Sequence, residues 1–183
     1  MKLVFLLEEQ SMKYFLDGLL PEDVQFVTIP HEGKSDLQKS LTAKLQGWNE
    51  PNVKFVVVQD QDSNDCRELK EKLSKLCKNS EKEVLIRIAC RELEAWYFGD
   101  INALSTAYGI DLSAVKRKKK YRVPDAIMNP KSELKRLLPG HQQISGARKI
   151  APVIGIEDNS SVSFQMFVNG VKRIADSDGI HAT

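Results

Sequence analysis

A chain of 183 residues has about the length of one domain, and it can bury a large core without disulfide bonds or a structural metal. Hydrophobic residues make up 42% and charged residues 28%, which excludes collagen-like, coiled-coil and wholly disordered proteins. The net charge is only +2, although six Lys or Arg residues lie within residues 116–122. The rest of the chain is therefore net acidic, and its basicity is a local feature.

The chain contains no apolar segment long enough to cross a membrane. Its longest uninterrupted apolar run is residues 3–7, whereas a spanning helix needs about 20 residues. We recognise no export signal, and the cysteines Cys66, Cys77 and Cys90 lack metal-type spacing. We therefore expect a cytoplasmic protein with reduced, buried thiols and no membrane partner.

The first half of the chain alternates between strand-like and helix-like segments. Residues 2–7, 24–30, 53–59 and 84–90 are rich in Val, Ile, Leu or Phe and are bounded by polar residues, which predicts buried strands. Residues 10–20, 34–48 and 63–78 carry apolar side chains at helical spacing. This alternation predicts an α/β fold with a four-stranded, mainly parallel sheet between helices, and we expect the strand order 2-1-3-4.

Helices dominate after residue 90. We expect them over residues 91–98, 101–108, 131–138 and 160–175, with Asn129 and Pro130 starting the third and Asn159 capping the last. We assign residues 1–110 to an α/β core. Residues 111–175 form a helical C-terminal elaboration of the same domain, and residues 176–183 form a flexible tail.

Acidic residues follow the first and third predicted strands. Glu8 follows strand one, and Asp60 and Asp62 follow strand three. Neighbouring parallel strands would bring Glu8 and Asp60 to one sheet edge, where ligands of doubly wound folds bind, and Asp62 joins them if it lies in a turn. Such a cluster suits Mg²⁺ or Mn²⁺. Alternatively, these acids are solvated, and Asp62 or Asp65 caps the next helix.

Two further residues are candidates beside this edge. Glu94, just past strand four, could bind the metal or orient a metal-bound water, or it could simply favour a helix start. Lys34, at the start of a helix behind Gly33, could hold a phosphate, or it could be solvated. Trp96 and Tyr97 share a helical face with Leu93, which predicts that they pack in the core.

The basic segment is suited to a nucleic-acid backbone, because cationic side chains release counterions when they contact phosphates. A solvated loop is the alternative. Its charged residues are Lys116, Arg117, Lys118, Lys119, Lys120 and Arg122.

Several motifs resemble known families. EEQSM at 8–12, HEGKSDL at 31–37, RELEAW at 91–96, NPK at 129–131 and SVSF at 161–164 are similar to a bacterial family called domain of unknown function 4276. Glu8 after a first strand, with DQD at 60–62 after a later strand, resembles the Toprim motif pair. That pair is found in topoisomerases, primases and the nuclease domains of overcoming-lysogenization-defect proteins.

The resemblance implies a Toprim-like fold, favours Glu94 over Glu92, and suggests a phage-defence setting with an ATPase encoded nearby. Toprim proteins usually have Gly after the first glutamate and often an acid four residues after it, whereas this chain has Glu9 and Met12. The resemblance is therefore also compatible with a non-catalytic partner-binding or sensor module.

We expect a nuclease that cleaves DNA or RNA phosphodiesters with Mg²⁺ or Mn²⁺ and no organic cofactor. Metal-dependent phosphotransfer on a small nucleotide is another alternative. The expected metal ligands are Glu8, Asp60 and Asp62, assisted by Asp65 or Glu94.

Overall fold

A computed structural model describes residues 1–21 and 24–176 and shows a sheet of four parallel strands. The spatial order is β2-β1-β3-β4, which confirms the expected order. The strands are β1 (Lys2–Leu7), β2 (Phe26–Pro30), β3 (Val53–Asp60) and β4 (Val84–Ala89).

Helices cover both faces of the sheet because the strands are apolar on both sides, as buried parallel strands usually are. One face packs against the leucines of α2 and α3, and the other packs against α1 and the C-terminal helices. The helices are α1 (Gln10–Leu19), α2 (Lys34–Gly47), α3 (Cys66–Cys77), α4 (Glu94–Phe98), α5 (Ile101–Tyr108), α6 (Ser113–Lys116), α7 (Pro130–Leu137), α8 (Gln143–Ile150) and α9 (Val162–Asp176).

An aromatic cluster anchors α4 to the core. Trp96 is 1% exposed, and its ring lies 5.0 Å from Phe167 and 5.4 Å from Phe164 between centroids. The Trp96 indole N–H donates to the Ser163 hydroxyl at 2.9 Å, so this large side chain is both buried and satisfied. These contacts fix α4, and therefore Glu94 at its start, against α9.

The strand register sets the position of the acidic residues. Leu7 of β1 pairs with Val58 of β3, and Asp60, the last residue of β3, pairs with Ala89 of β4. Glu8 therefore leaves the sheet one residue after β1, beside the end of β3. The carboxyl ends of β1, β3 and β4 lie together at one edge of the sheet.

The structure differs from the expected elements in the second half of the chain. The helix expected over 91–98 begins only at Glu94. Arg91 has φ 63°, a left-handed conformation that is incompatible with an α-helix, so the helix cannot start there. Asn159 does not cap α9; instead the Ser161 hydroxyl accepts from the Phe164 N–H, as an N-cap does. The helices α6 and α8 are not among the expected elements, and two short 3₁₀ turns occupy Lys119–Tyr121 and Pro124–Ala126.

Other expectations concern the chain end, the cysteines and the membrane. Asp176 is the last residue of α9, and the rest of the expected tail lies outside the described residues. The thiol of Cys77 is buried as expected, whereas Cys66 and Cys90 are half-buried. Among the described residues, no helix has the length and hydropathy needed to span a membrane.

Candidate functional site

Glu8 bridges the ends of β1 and β3. Its side-chain Oε2 accepts from the Asp60 backbone N–H at 3.1 Å, and its carbonyl accepts from the Gly33 N–H at 2.9 Å. Burial raises the pKa of the Glu8 carboxyl from its ordinary 4.5 to about 7, a rise that the Asp60 N–H opposes and that Asp62 and Glu9 reinforce. At neutral pH this half-buried carboxyl can therefore either accept or release a proton.

Asp60 lies deeper, at the end of β3, and is only 4% exposed. Its Oδ1 atom is buried without a hydrogen-bond partner among the described residues. Burial, and then the negative charges of Glu94 and Glu8, raise its pKa well above the usual range for aspartate. An isolated carboxylate in this position is unfavourable, since a buried charge needs a compensating partner.

Glu94 starts α4 and is 1% exposed. Its Oε2 atom is also buried and unpartnered within the described chain. Burial raises its pKa to about 7, and the nearby Lys131 ammonium partly opposes this rise. Glu94 and Asp60 are thus two buried carboxyls that repel each other and that each have an oxygen available for a ligand.

Asp62 lies in the turn after β3, as its convergence with Glu8 required. Its φ is 52°, and its N–H donates to the Arg91 carbonyl at 2.8 Å, which ties this turn to the one after β4. Its Oδ2 lies 2.8 Å from the Lys34 ammonium, and this contact raises the pKa of Lys34. Asp62 is therefore at the rim of the site and already has a cationic partner.

Asp65 is the N-cap of α3. Its Oδ1 accepts from the N–H groups of Arg67 at 2.8 Å and Glu68 at 3.1 Å, at the start of α3. This is the capping alternative that the sequence left open.

The sequence alone does not identify Lys131 as a member of the site. Its ammonium lies 3.9 Å from Glu9 Oε2, and its backbone N–H donates to Glu92 Oε2 at 2.8 Å. Burial lowers the pKa of Lys131, but Glu94, Glu9 and Asp60 outweigh this and raise it overall. We call the group of mutually interacting acids around this lysine the acid cluster. It consists of Glu8, Glu9, Asp60, Asp62 and Glu94.

The acid cluster could bind a cation through one or two protein ligands, but it does not form a complete coordination shell by itself. In the described part of the chain, no three His, Cys, Asp or Glu side chains are already arranged to hold a metal ion. However, Mg²⁺ often uses only one or two carboxylates and completes its shell with water and substrate phosphate. The free oxygens of Asp60 and Glu94 supply that number.

The basic segment is exposed, as expected of a surface feature, but two of its lysines have protein partners. The Lys116 ammonium donates to Asn102 Oδ1 at 3.3 Å, and Lys120 forms an ion pair with Glu133 at 2.6 Å. The next residue, Tyr121, has a buried ring that stacks on Phe98 with centroids 5.4 Å apart. Arg117, Lys118, Lys119 and Arg122 are also exposed.

Comparison with known proteins gives one match. A family model described as "Domain of unknown function (DUF4276)" matches residues 7–172, which include the acid cluster, Lys131 and the basic segment. Neither the curated proteins nor the solved structures gave a match.

Proposed function

The chain belongs to the family described as domain of unknown function 4276, and from its site we propose that it hydrolyses phosphodiester bonds of DNA or RNA with bound Mg²⁺ or Mn²⁺. One observation carries this proposal. Asp60 Oδ1 and Glu94 Oε2 are buried, belong to one electrostatically coupled cluster, and have no partner among the described residues. A divalent cation would satisfy both oxygens and remove the repulsion between the two carboxylates.

Within this proposal Asp60 and Glu94 hold the cation. When bound, it supplies positive charge that offsets the negative charge developing on the phosphate during hydrolysis. Glu8 is the proposed base, because its carboxyl is half-buried beside Asp60 and its pKa lies near 7, where a base is most effective at neutral pH. It takes a proton from the attacking water, whose oxygen bonds to phosphorus as the P–O ester bond breaks. The leaving oxygen takes a proton from solvent.

Two lysines flank the acid cluster and would bind the substrate phosphates. Lys131 lies half-buried among the acids, and Lys34 pairs with Asp62 at the rim. The exposed charges of the basic segment would bind the backbone of a longer strand and would read no sequence. The Toprim resemblance of the strand-end acids favours the same chemistry, and an ATPase partner in phage defence remains part of this proposal.

Metal titration tests the proposal without needing a substrate. Calorimetry should detect Mn²⁺ binding to the wild type, and Asp60→Asn and Glu94→Gln should each weaken it at least about ten-fold, because each removes a charged ligand. Asp65→Asn is the matched control, since Asn caps a helix as well as Asp. Equal Mn²⁺ affinity in the wild type, Asp60→Asn and Glu94→Gln would reject the metal site.

Cleavage assays test the reaction itself. Supercoiled plasmid, single-stranded DNA and RNA are incubated with Mn²⁺ or Mg²⁺, first with the chain alone and then with a co-encoded ATPase. Glu8→Gln should abolish cleavage while leaving Mn²⁺ affinity close to that of the wild type.

A non-catalytic partner-binding or sensor module is a second candidate, and three observations favour it. Asp65 caps α3, Lys34 neutralises Asp62, and Met12, at the position where Toprim proteins often have an acid, is 1% exposed in the core. This candidate requires that Mn²⁺ does not bind.

A further inference from the structure

Tyr97 is buried beside the acid cluster, although its position in the sequence indicates only core packing. It lies one helical turn after Glu94 in α4, so the two side chains share a face of that helix. Its ring packs edge-on against Phe15 at 5.2 Å between centroids, and the residue is 1% exposed. The ring is therefore fixed, and the direction of its hydroxyl is fixed with it.

The Tyr97 hydroxyl is a third unsatisfied polar group in this region. It is buried and has no hydrogen-bond partner among the residues that the structure describes. Buried tyrosine hydroxyls usually have a partner, because leaving one unpaired is unfavourable. Its electrostatic neighbours include Glu94, Glu9 and Asp60, whose charges add to the effect of burial in raising its pKa. Because Tyr97 also lies one helical turn after Glu94 in α4, these interactions indicate that its buried hydroxyl lies near the acid cluster.

The three unpartnered atoms have complementary hydrogen-bonding capacity. Tyr97 Oη–H is a donor, whereas the carboxyl oxygens Asp60 Oδ1 and Glu94 Oε2 can accept through their lone pairs. They interact electrostatically, but no hydrogen bond joins any two of them in the structure. A water molecule accepts from one donor and donates to two acceptors, and buried waters typically make about three hydrogen bonds.

We propose that Tyr97 is a positioning residue of this site, whose hydroxyl donates to a buried water molecule that in turn donates to Asp60 Oδ1 and Glu94 Oε2. The expected effect of Tyr97 on catalysis rests on the proposed hydrolytic function, whereas the bound water does not. Tyr97 then fixes the water through which Asp60 and Glu94 keep their orientation, and it does so without carrying charge itself. Tyr97→Phe removes only this hydroxyl and keeps the packed ring.

A crystal structure of the metal-free protein, at a resolution that shows ordered water, tests the proposal directly. We expect one water within hydrogen-bond distance of all three atoms in the wild type, and its loss or displacement in Tyr97→Phe. A wild-type structure in which the Tyr97 hydroxyl contacts no water overturns the proposal. So does a water molecule that bonds to Tyr97 but to neither Asp60 nor Glu94.

Stability gives a second readout that does not depend on activity. If Tyr97 is bonded to water, Tyr97→Phe lowers the Tm, whereas an unpaired hydroxyl predicts a higher Tm because an unfavourable buried group is removed. Tyr121→Phe calibrates the measurement, since the Tyr121 hydroxyl already donates to Glu133 and its loss must lower the Tm. A higher Tm for Tyr97→Phe overturns the proposal.

Kinetics then test the positioning role. We expect Tyr97→Phe to lower kcat about ten-fold and to change KM by less than about two-fold, because only the orientation within the bound complex is affected. An unchanged kcat overturns the role even if the water is present. If the wild type cleaves no substrate, the proposed hydrolysis fails, whereas the crystal structure and the Tm still decide whether Tyr97 holds the water.

Discussion

Two buried glutamates, Glu94 in α4 and Glu133 in α7, have opposite environments although these two helices pack against each other. Glu94 is 1% exposed, has an unpartnered oxygen, and has a pKa raised to about 7 by burial. Glu133 is 8% exposed and accepts from Arg136 at 2.6 Å and from the Tyr121 hydroxyl, with Lys120 also 2.6 Å away. Its pKa is lowered to about 2, mainly by the Arg136 hydrogen bond.

The difference separates a structural carboxylate from a candidate ligand. Glu133 meets its cationic and hydroxyl partners within the chain, so it stabilises the fold as an ion. Glu94 and its neighbour Asp60 do not, so the folded chain favours their protonated forms until something from outside supplies positive charge. Perturbed carboxyls in a shared cluster are frequent at functional sites for this reason.

The largest expected effect tests whether a bound metal ion supplies the positive charge that compensates Asp60 and Glu94. Mn²⁺ at about 100 times its Kd should raise the free energy of unfolding of the wild type by about 2.7 kcal/mol, because the ion binds only the folded state. Thermal denaturation with and without Mn²⁺ measures this. Asp60→Asn binds Mn²⁺ at least about ten-fold more weakly, so the same concentration should stabilise it by at most about 1.4 kcal/mol, whereas Glu133→Gln should respond like the wild type.

Replacing the satisfied glutamate should have the next largest effect. Glu133→Gln should lower the free energy of unfolding by about 2 kcal/mol at pH 7, because it weakens charge-assisted hydrogen bonds from three partners. Urea denaturation measures it, with Glu71→Gln on the exposed face of α3 as the control. Because the folded pKa of Glu133 is lowered, its contribution is present above about pH 4.5 and is lost as the pH falls towards 2.

Glu94 should show the opposite sign and the opposite pH dependence. Its folded pKa of about 7 exceeds the ordinary 4.5, so its contribution is most favourable below 4.5 and is lost as the pH rises through 7. Glu94→Gln should therefore raise the free energy of unfolding of the metal-free protein by about 1–3 kcal/mol at pH 8 and change it little at pH 4.5. A variant less stable than the wild type at pH 8 would contradict this explanation of Glu94.

The sequence predicts the sheet well because each strand is an almost uninterrupted apolar run, and such runs have few alternative structures. It also brings Glu8 and Asp60 to one edge, because parallel strands end on the same side. It does not predict α6, which has only 4 residues, or α8, which contains the helix-disfavouring Gly146 in its interior.

The roles within the site are harder to predict, because they depend on contacts between distant segments. Asp65 and Glu94 both lie near the start of a predicted helix, yet one caps α3 and the other is buried without a partner among the described residues. Lys131 enters the acid cluster only because α7 packs against α4. Tyr97 lies four residues after Leu93, on the apolar face of a predicted helix. The apolar periodicity therefore indicates that its ring packs in the core, but it does not show what surrounds its hydroxyl.

Substitutions in the basic segment should have the smallest effect on stability. Their main expected effect is on nucleic-acid binding. Changing Arg117, Lys118, Lys119 and Arg122 together to Gln leaves Lys116 and Lys120, which have protein partners, in place. Unfolding should change by less than about 0.5 kcal/mol, because these side chains are exposed. If they bind phosphates, the slope of log K against log salt on duplex DNA should flatten by about 0.9 for each phosphate that the variant no longer neutralises.

A matched control separates a specific surface from overall charge. Changing Lys39, Lys70, Lys75 and Lys78 to Gln removes the same charge from exposed positions on or just after α2 and α3, which cover the other face of the sheet. Only the first variant should lose affinity for long strands, and mononucleotide binding should be unaffected in both, because an extended surface acts through many phosphates. Mn²⁺ affinity should also be unaffected, since exposed charges beyond about 8 Å are screened at physiological ionic strength. Equal loss in both variants would show that nucleic acid responds to net charge, which would leave Lys34 and Lys131 to bind the phosphates.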